Sequence, residues 1–180
     1  MKTIKLITVL ALLFFVKTSG QITKGNWMVG GNGSFSNVTI KDANRKIVQS
    51  GTQVSLQPNL GYFFYDRFAG GLLSNFNFSK VNGNSLSNSG LALGPYVRYY
   101  FLKPEKLVNF LVEANYFYGK DFNDKDFSNS YGLKAGPVIY FNSSVGLEFL
   151  AKYEHFYNSS DSSTGDNFQI GIGLQIHLKK

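Results

Sequence analysis

The chain has 180 residues, with 17 Phe, 11 Tyr and 19 Gly against 4 Pro, 2 Met and no Cys. That length holds one domain or one small barrel, and the aromatic and glycine content favours strands. The lack of cysteine excludes a disulfide framework, a Cys-ligated zinc site and a lipid-modified N-terminal Cys; the formal charge of +7 is scattered, with no basic run that would point to nucleic acid.

Residues 1–20, MKTIKLITVLALLFFVKTSG, read as a cleavable signal peptide. Lys2 and Lys5 form its basic start, and Leu6 to Val16 is an apolar run broken only by Thr8. Thr18 and Gly20 put small residues at −3 and −1 to a cleavage before Gln21. The run is too short to cross a bilayer comfortably as a helix. Without Lys2, Lys5 and Lys17, 15 Lys and Arg face 11 Asp and Glu, so the expected mature domain, residues 21–180, carries about +4.

Eight alternating segments follow. Alternate residues of a strand face opposite sides, so parity separates two faces. NWMVGGNGSFS sets Trp27, Val29 and Phe35 against Asn32, Ser34 and Ser36. TQVSLQPNLGYFFY sets Val54, Leu56, Leu60, Tyr62 and Phe64 against Ser55, Gln57, Asn59 and Gly61. FAGGLLSNFNF sets Phe68, Leu72, Phe76 and Phe78 against Asn75 and Asn77. LALGPYVRYYF sets Leu91, Leu93, Val97, Tyr99 and Phe101 against Gly94 and Arg98. NFLVEANYFY sets Phe110, Val112, Tyr116 and Tyr118 against Glu113 and Asn115. YGLKAGPVIYF sets Tyr131, Leu133, Ile139 and Phe141 against Gly132, Lys134 and Gly136. GLEFLAKYEHFY sets Leu147, Phe149, Ala151, Tyr153, His155 and Tyr157 against Glu148, Leu150, Lys152 and Glu154. FQIGIGLQIHL alternates throughout, from Phe168 to Leu178. Pro58, Pro95 and Pro137 fall mid-segment on the apolar parity, where a bulge is the expected accommodation.

The gaps take turns in length. Asp66-Arg67, LKPEK and NSS are short; VTIKDANRKIVQSG, SKVNGNSLSNSG, GKDFNDKDFSNS and NSSDSSTGDN are long and polar. Short periplasmic turns alternating with long outer loops mark an up-and-down barrel in an outer membrane. On the apolar parity, aromatics gather towards both segment ends and aliphatic residues hold the middle, as the two water–lipid interfaces require. The predicted fold is therefore an all-β, eight-stranded antiparallel transmembrane β-barrel. The alternative is a soluble, lipocalin-type barrel with the apolar face inside.

With QITKGNWMVGGNGSFS, PNLGYFFYDRFAGGL, LGPYVRYYF, GPVIYFNSSVGLEF and the closing IGIGLQIHL in view, the chain resembles the small eight-stranded outer-membrane barrels of the OmpX type and the membrane domain of OmpA. It resembles most the outer membrane protein beta-barrel domain proteins of Bacteroidetes. Such barrels often end on an aromatic residue, whereas this chain ends Leu178-Lys179-Lys180. The resemblance covers residues 21–180 and implies architecture rather than an activity.

On the inward parity, Arg98, Glu113, Lys134, Glu148, Lys152 and Glu154 are expected to form a lumen charge network. Around the short turns, Arg98 should lie opposite or diagonal to Glu113, and Lys134 near Lys152. Eight strands leave room only for side chains, so the charges are expected to plug the lumen. His177 points inward; His155 lies in the outer aromatic girdle, with Ser159 and Asp161 nearby in sequence for a rim chemistry. The acidic loop Asp121 to Asp126 fails the calcium-loop pattern, because Lys125 takes a ligand position. Asn-x-Ser/Thr triplets such as those at Asn37 and Asn142 are expected by chance in so Ser- and Asn-rich a chain.

The expected function is non-enzymatic, with no catalytic, metal or cofactor site. The barrel would sit in the outer membrane as a monomer, against lipid and lipopolysaccharide, and hold four polar loops for envelope structure, adhesion or recognition. The alternatives are a binder or narrow conduit for small apolar molecules and, third, a rim-located lipid-modifying enzyme.

Overall fold

A computed structural model describes residues 22–41, 47–81, 88–121, 127–158 and 164–179. Eight strands run in chain order: β1 (Trp27–Lys41), β2 (Ile47–Tyr65), β3 (Phe68–Val81), β4 (Asn88–Tyr100), β5 (Val108–Asp121), β6 (Phe127–Tyr140), β7 (Val145–Asn158) and β8 (Thr164–Leu178). Each pairs antiparallel with the next, and β8 closes on β1. The closed ring leaves no free sheet edge over the paired residues.

Alternation determines which face closes inward. Along β8, Gln169, Gly171, Gly173, Gln175 and His177 are buried, and Phe168, Ile170, Ile172, Leu174 and Leu178 are exposed. Ile170 is 71% exposed and Glu113 0%. The apolar parity therefore points outward all round the barrel and the charged parity inward. A lipocalin-type barrel has the opposite arrangement. A water-soluble monomer does not carry so continuous an apolar exterior.

The β2–β3 register shifts between Phe63 and Tyr65, just before the short turn. Tyr65 faces Phe68 across the Asp66-Arg67 turn, and Arg67 takes a positive φ of 67° there. Outside the strands, Ile22–Asn26 folds across this end of the barrel. Gly25 N donates to Phe63 O (2.9 Å), Phe63 N to Asn26 O (3.0 Å) and Arg67 N to Ile22 O (2.7 Å). Gly25 sits at φ 92°, a left-handed conformation that glycine adopts without strain. Ile22 is thereby held fully buried at the turn end.

Two expectations about the strands need correction. The long polar gaps are partly strand: β1 runs to Lys41 and β2 starts at Ile47, and the other three outer hairpins are extended likewise. Backbone pairing continues beyond the apolar band because ladder hydrogen bonds do not require apolar side chains. The bulges expected at Pro58, Pro95 and Pro137 are absent. Pairing lapses instead, between Leu56↔Phe76 and Asn59↔Leu73, between Leu93↔Tyr118 and Tyr96↔Asn115, and between Ala135↔Ala151 and Val138↔Glu148. It resumes in the same register each time. A proline has no N–H to donate, so the ladder opens towards one neighbour without gaining a residue. Gly94 and Gly136 precede two of these prolines, and a Cβ there would strike the carbonyls of Tyr116 and Phe149. The strands approach closely where the ladder is open.

Candidate functional site

The lumen is filled in layers. The turn end is apolar and aromatic: Ile22, Met28, Phe63, Tyr100 and Tyr140 are all buried there. His177 lies among the rings, with centroids 5.7 Å from Phe63, 5.8 Å from Tyr140 and 6.3 Å from Tyr100. It is inward, as expected, and packs in an aromatic layer. Its backbone N donates to Ser144 O at 2.6 Å.

The ion cluster lies above this layer. Strand register sets Arg98 opposite Glu113, and Glu113 opposite Lys134, across β4, β5 and β6. Arg98 Nε and Nη2 both donate to Glu113 Oε2, at 2.9 and 2.6 Å. Lys134 Nζ lies 2.6 Å from Glu113 Oε1, so each carboxylate oxygen meets a different cation. Arg98 Nη1 reaches across the lumen to Glu148 Oε1 of β7 at 2.6 Å. It also lies 3.2 Å from the Tyr100 hydroxyl. Tyr96 and Tyr100 place their rings 5.7 and 6.0 Å from the guanidinium carbon. All four charged side chains are at most 2% exposed. Two basic and two acidic side chains lie together, so their formal charges cancel within the buried cluster.

Lys152 and Glu154 are not part of this cluster. Lys152 is opposite Lys134, as expected from the turn, but its Nζ donates to Ser34 Oγ (3.3 Å) and Gln169 Oε1 (3.4 Å). Ser34 Oγ donates to the same Gln169 oxygen at 2.7 Å. Glu154 accepts from Ser130 Oγ. The six charges expected to form one network therefore divide into a four-membered cluster and two separately bonded side chains. The reason is charge and position: Lys152 faces the like charge of Lys134 in register and turns to Ser34 and Gln169 instead, and Glu154 lies two residues further along β7, about 7 Å nearer the outer end.

Above Lys152, at the end where the four outer hairpins leave the barrel, the lumen opens into a cup of about 270 Å³. Gln53, Ser55, Asn75, Ser130, Glu154 and Gln169 contribute to its wall.

On the outside of the barrel, aromatics gather at both ends. Tyr62 contacts Trp27 on one side and Phe64 on the other edge to face, as Tyr99 does Phe101, near the turns. Near the outer end, Tyr118 stacks on Phe127. His155 packs on Tyr131 with centroids 5.1 Å apart, and its Nδ1 lies 2.8 Å from Asp166 Oδ1. The Tyr153 hydroxyl donates to the same oxygen at 2.7 Å. Ser159 and Asp161, considered with His155 for rim chemistry, lie outside the described residues, as does most of the Asp121 to Asp126 loop. The partner of His155 is Asp166, 11 residues on and opposite it in the β7–β8 register.

Sequence reasoning missed Met28, Phe63 and Tyr140 as the turn-end layer, and Ile22 beneath it. Inward parity would have found the first three. Ile22 precedes β1 and carries no periodic signal.

No family model and no curated protein matches the chain. Among solved structures it is similar to a Neisserial surface protein A, with a TM-score of 0.61 at 12% identity, covering 85% of this chain and 97% of that one. The N-terminal β-barrel domain of Pseudomonas aeruginosa OprF follows, with a TM-score of 0.55 at 13% identity over 86% and 98%. The outer membrane protein OprG of Pseudomonas aeruginosa has a TM-score of 0.50 at 12% identity over 89% and 99%. At such identities the likeness is one of fold: this chain has the closed eight-stranded architecture of small outer-membrane barrels.

Proposed function

We propose that the protein is a non-enzymatic outer-membrane barrel, exported by residues 1–20, that anchors its four outer hairpins at the cell surface for envelope structure, adhesion or recognition. One observation carries this reading. The exterior is apolar and the interior holds a buried, charge-neutral plug. Lipid is the solvent that suits such an exterior, with the aromatic girdles at the headgroups. A plugged interior leaves the loop end as the part free to meet a partner. That one structural neighbour is a surface protein agrees with this role. The partners expected along the wall are lipid and lipopolysaccharide, and a monomer needs no other. A conduit for apolar molecules would need an apolar path, and the centre of the lumen is ionic.

Fractionation combined with surface labelling tests the proposal. An epitope inserted between Asp121 and Phe127 should be reached by antibody on intact cells, and the protein should co-fractionate with the outer membrane. Because a closed barrel satisfies its backbone groups internally, the unheated protein should also migrate differently from the boiled one on a denaturing gel. A soluble protein without a mobility shift would reject the reading.

A further inference from the structure

We infer that the cup at the loop end of the lumen is a binding site for a single neutral sugar ring. Its volume of about 270 Å³ lies just below the range of about 300–1,000 Å³ common for ligand pockets, so its occupant is small. Most of its polar wall is neutral and planar: the amides of Gln53, Asn75, Asn77, Asn167 and Gln169, of which Asn75 Oδ1 already accepts from Ser55 and Gln169 Oε1 from Ser34 and Lys152, so that these two serve a ligand as donors. An amide presents donors and an acceptor in one plane, and neighbouring sugar hydroxyls are each donor and acceptor, so the two kinds of group match. Asn77 Oδ1 is buried without a hydrogen-bond partner among the described residues, and it is available to a hydroxyl donor. Phe156, 39% exposed, supplies apolar wall against which the C–H face of a pyranose can pack, with Phe117 buried beside it.

The charges argue against an ionic occupant. Among the described residues of the wall, Glu154 is the one ionisable side chain, and its Oε1 already accepts from Ser130. Lys152 lies beneath the wall, 4% exposed, with its ammonium on Ser34 and Gln169. Among the described residues, an anion would therefore find no free cation in the cup. The cup is also blind. Below it come Lys152, the ion cluster and the aromatic layer, so a ligand enters and leaves by the same mouth. That geometry suits capture of a terminal sugar and does not suit transport. The biological use of the cup, recognition of glycan from outside the cell, rests on the surface-anchor reading; the binding itself does not.

The test is a titration of the purified, folded protein in a detergent without a sugar headgroup. Glucose, galactose and N-acetylglucosamine are added in turn, and the side-chain amide signals of Asn and Gln are followed by NMR. At least one sugar should shift the cup amides saturably, with a Kd of about 1 mM or tighter. Asn77→Ala and Asn167→Ala should each weaken that sugar about tenfold, while gel mobility before boiling stays unchanged. The inference is overturned if none of the three sugars gives a saturable shift, if glycine betaine gives the same shifts, or if both variants bind as the wild type does. If the surface epitope proves inaccessible but the titration succeeds, the binding site stands and the anchor reading fails.

Discussion

Arg98 and Glu113 face each other in register across β4 and β5, and two guanidinium nitrogens of Arg98 converge on Glu113 Oε2. Both side chains are 0% exposed. The contact is charge-assisted and nearly dry, which strengthens it and makes it costly to break on one side only. Lys134 holds the other oxygen of Glu113, and Glu148 holds the other side of Arg98. Removing one member leaves a net charge with little water to solvate it.

Glu113→Gln should therefore destabilise the barrel by about 3–5 kcal/mol, because Arg98 and Lys134 would then share Glu148. Adding Arg98→Gln restores neutrality. The double variant should lose less than the sum of the singles, by about 0.5–3 kcal/mol. Urea unfolding of the protein in lipid vesicles, run as a double-mutant cycle, measures the coupling.

The two faces predict opposite tolerance. Ile172 lies mid-way along β8 and is 56% exposed on the outer face. Ile172→Arg should cost about 2–4 kcal/mol if that position sits near the bilayer midplane, and Ile172→Ala should cost much less. Unfolding midpoints in vesicles report both. Equal tolerance of the two substitutions would place this face in water.

Processing and packing meet at Ile22. The cleavage expected before Gln21 leaves one residue ahead of a side chain that is 0% exposed. Intact-mass measurement of the membrane-derived protein should give a chain beginning at Gln21. Ile22→Ala should cost about 2–5 kcal/mol through the cavity it opens at the turn end. A mature protein that retains residues 1–20 would contradict the export step.

The parts of the site legible in the sequence are those that parity and a short turn determine together. Arg98 opposite Glu113, and Lys134 opposite Lys152, follow from counting back from the turns at 102–106 and 142–144. Contacts that cross the lumen were not legible. The Arg98–Glu148 pair joins β4 to β7, and no local spacing encodes it. The partners of the upper charges were hidden too: parity and spacing put Lys152 and Glu154 inside and above Glu148, but do not say that Lys152 turns to Ser34 and Gln169 and Glu154 to Ser130. The prolines misled for a related reason. A missing N–H was read as an inserted residue, whereas the closed ladder accommodates it by opening locally in unchanged register.

The claim that the barrel is an anchor with a plugged interior is tested most directly by ion conductance. Arg98, Glu113, Lys134 and Glu148, stacked on Phe63, Tyr100 and Tyr140, leave little space for a continuous water column. The wild-type protein inserted in a planar bilayer should carry no stable current under an applied voltage. A steady, charge-selective current through the wild-type barrel would contradict the account and turn the inward charges into a conduction path.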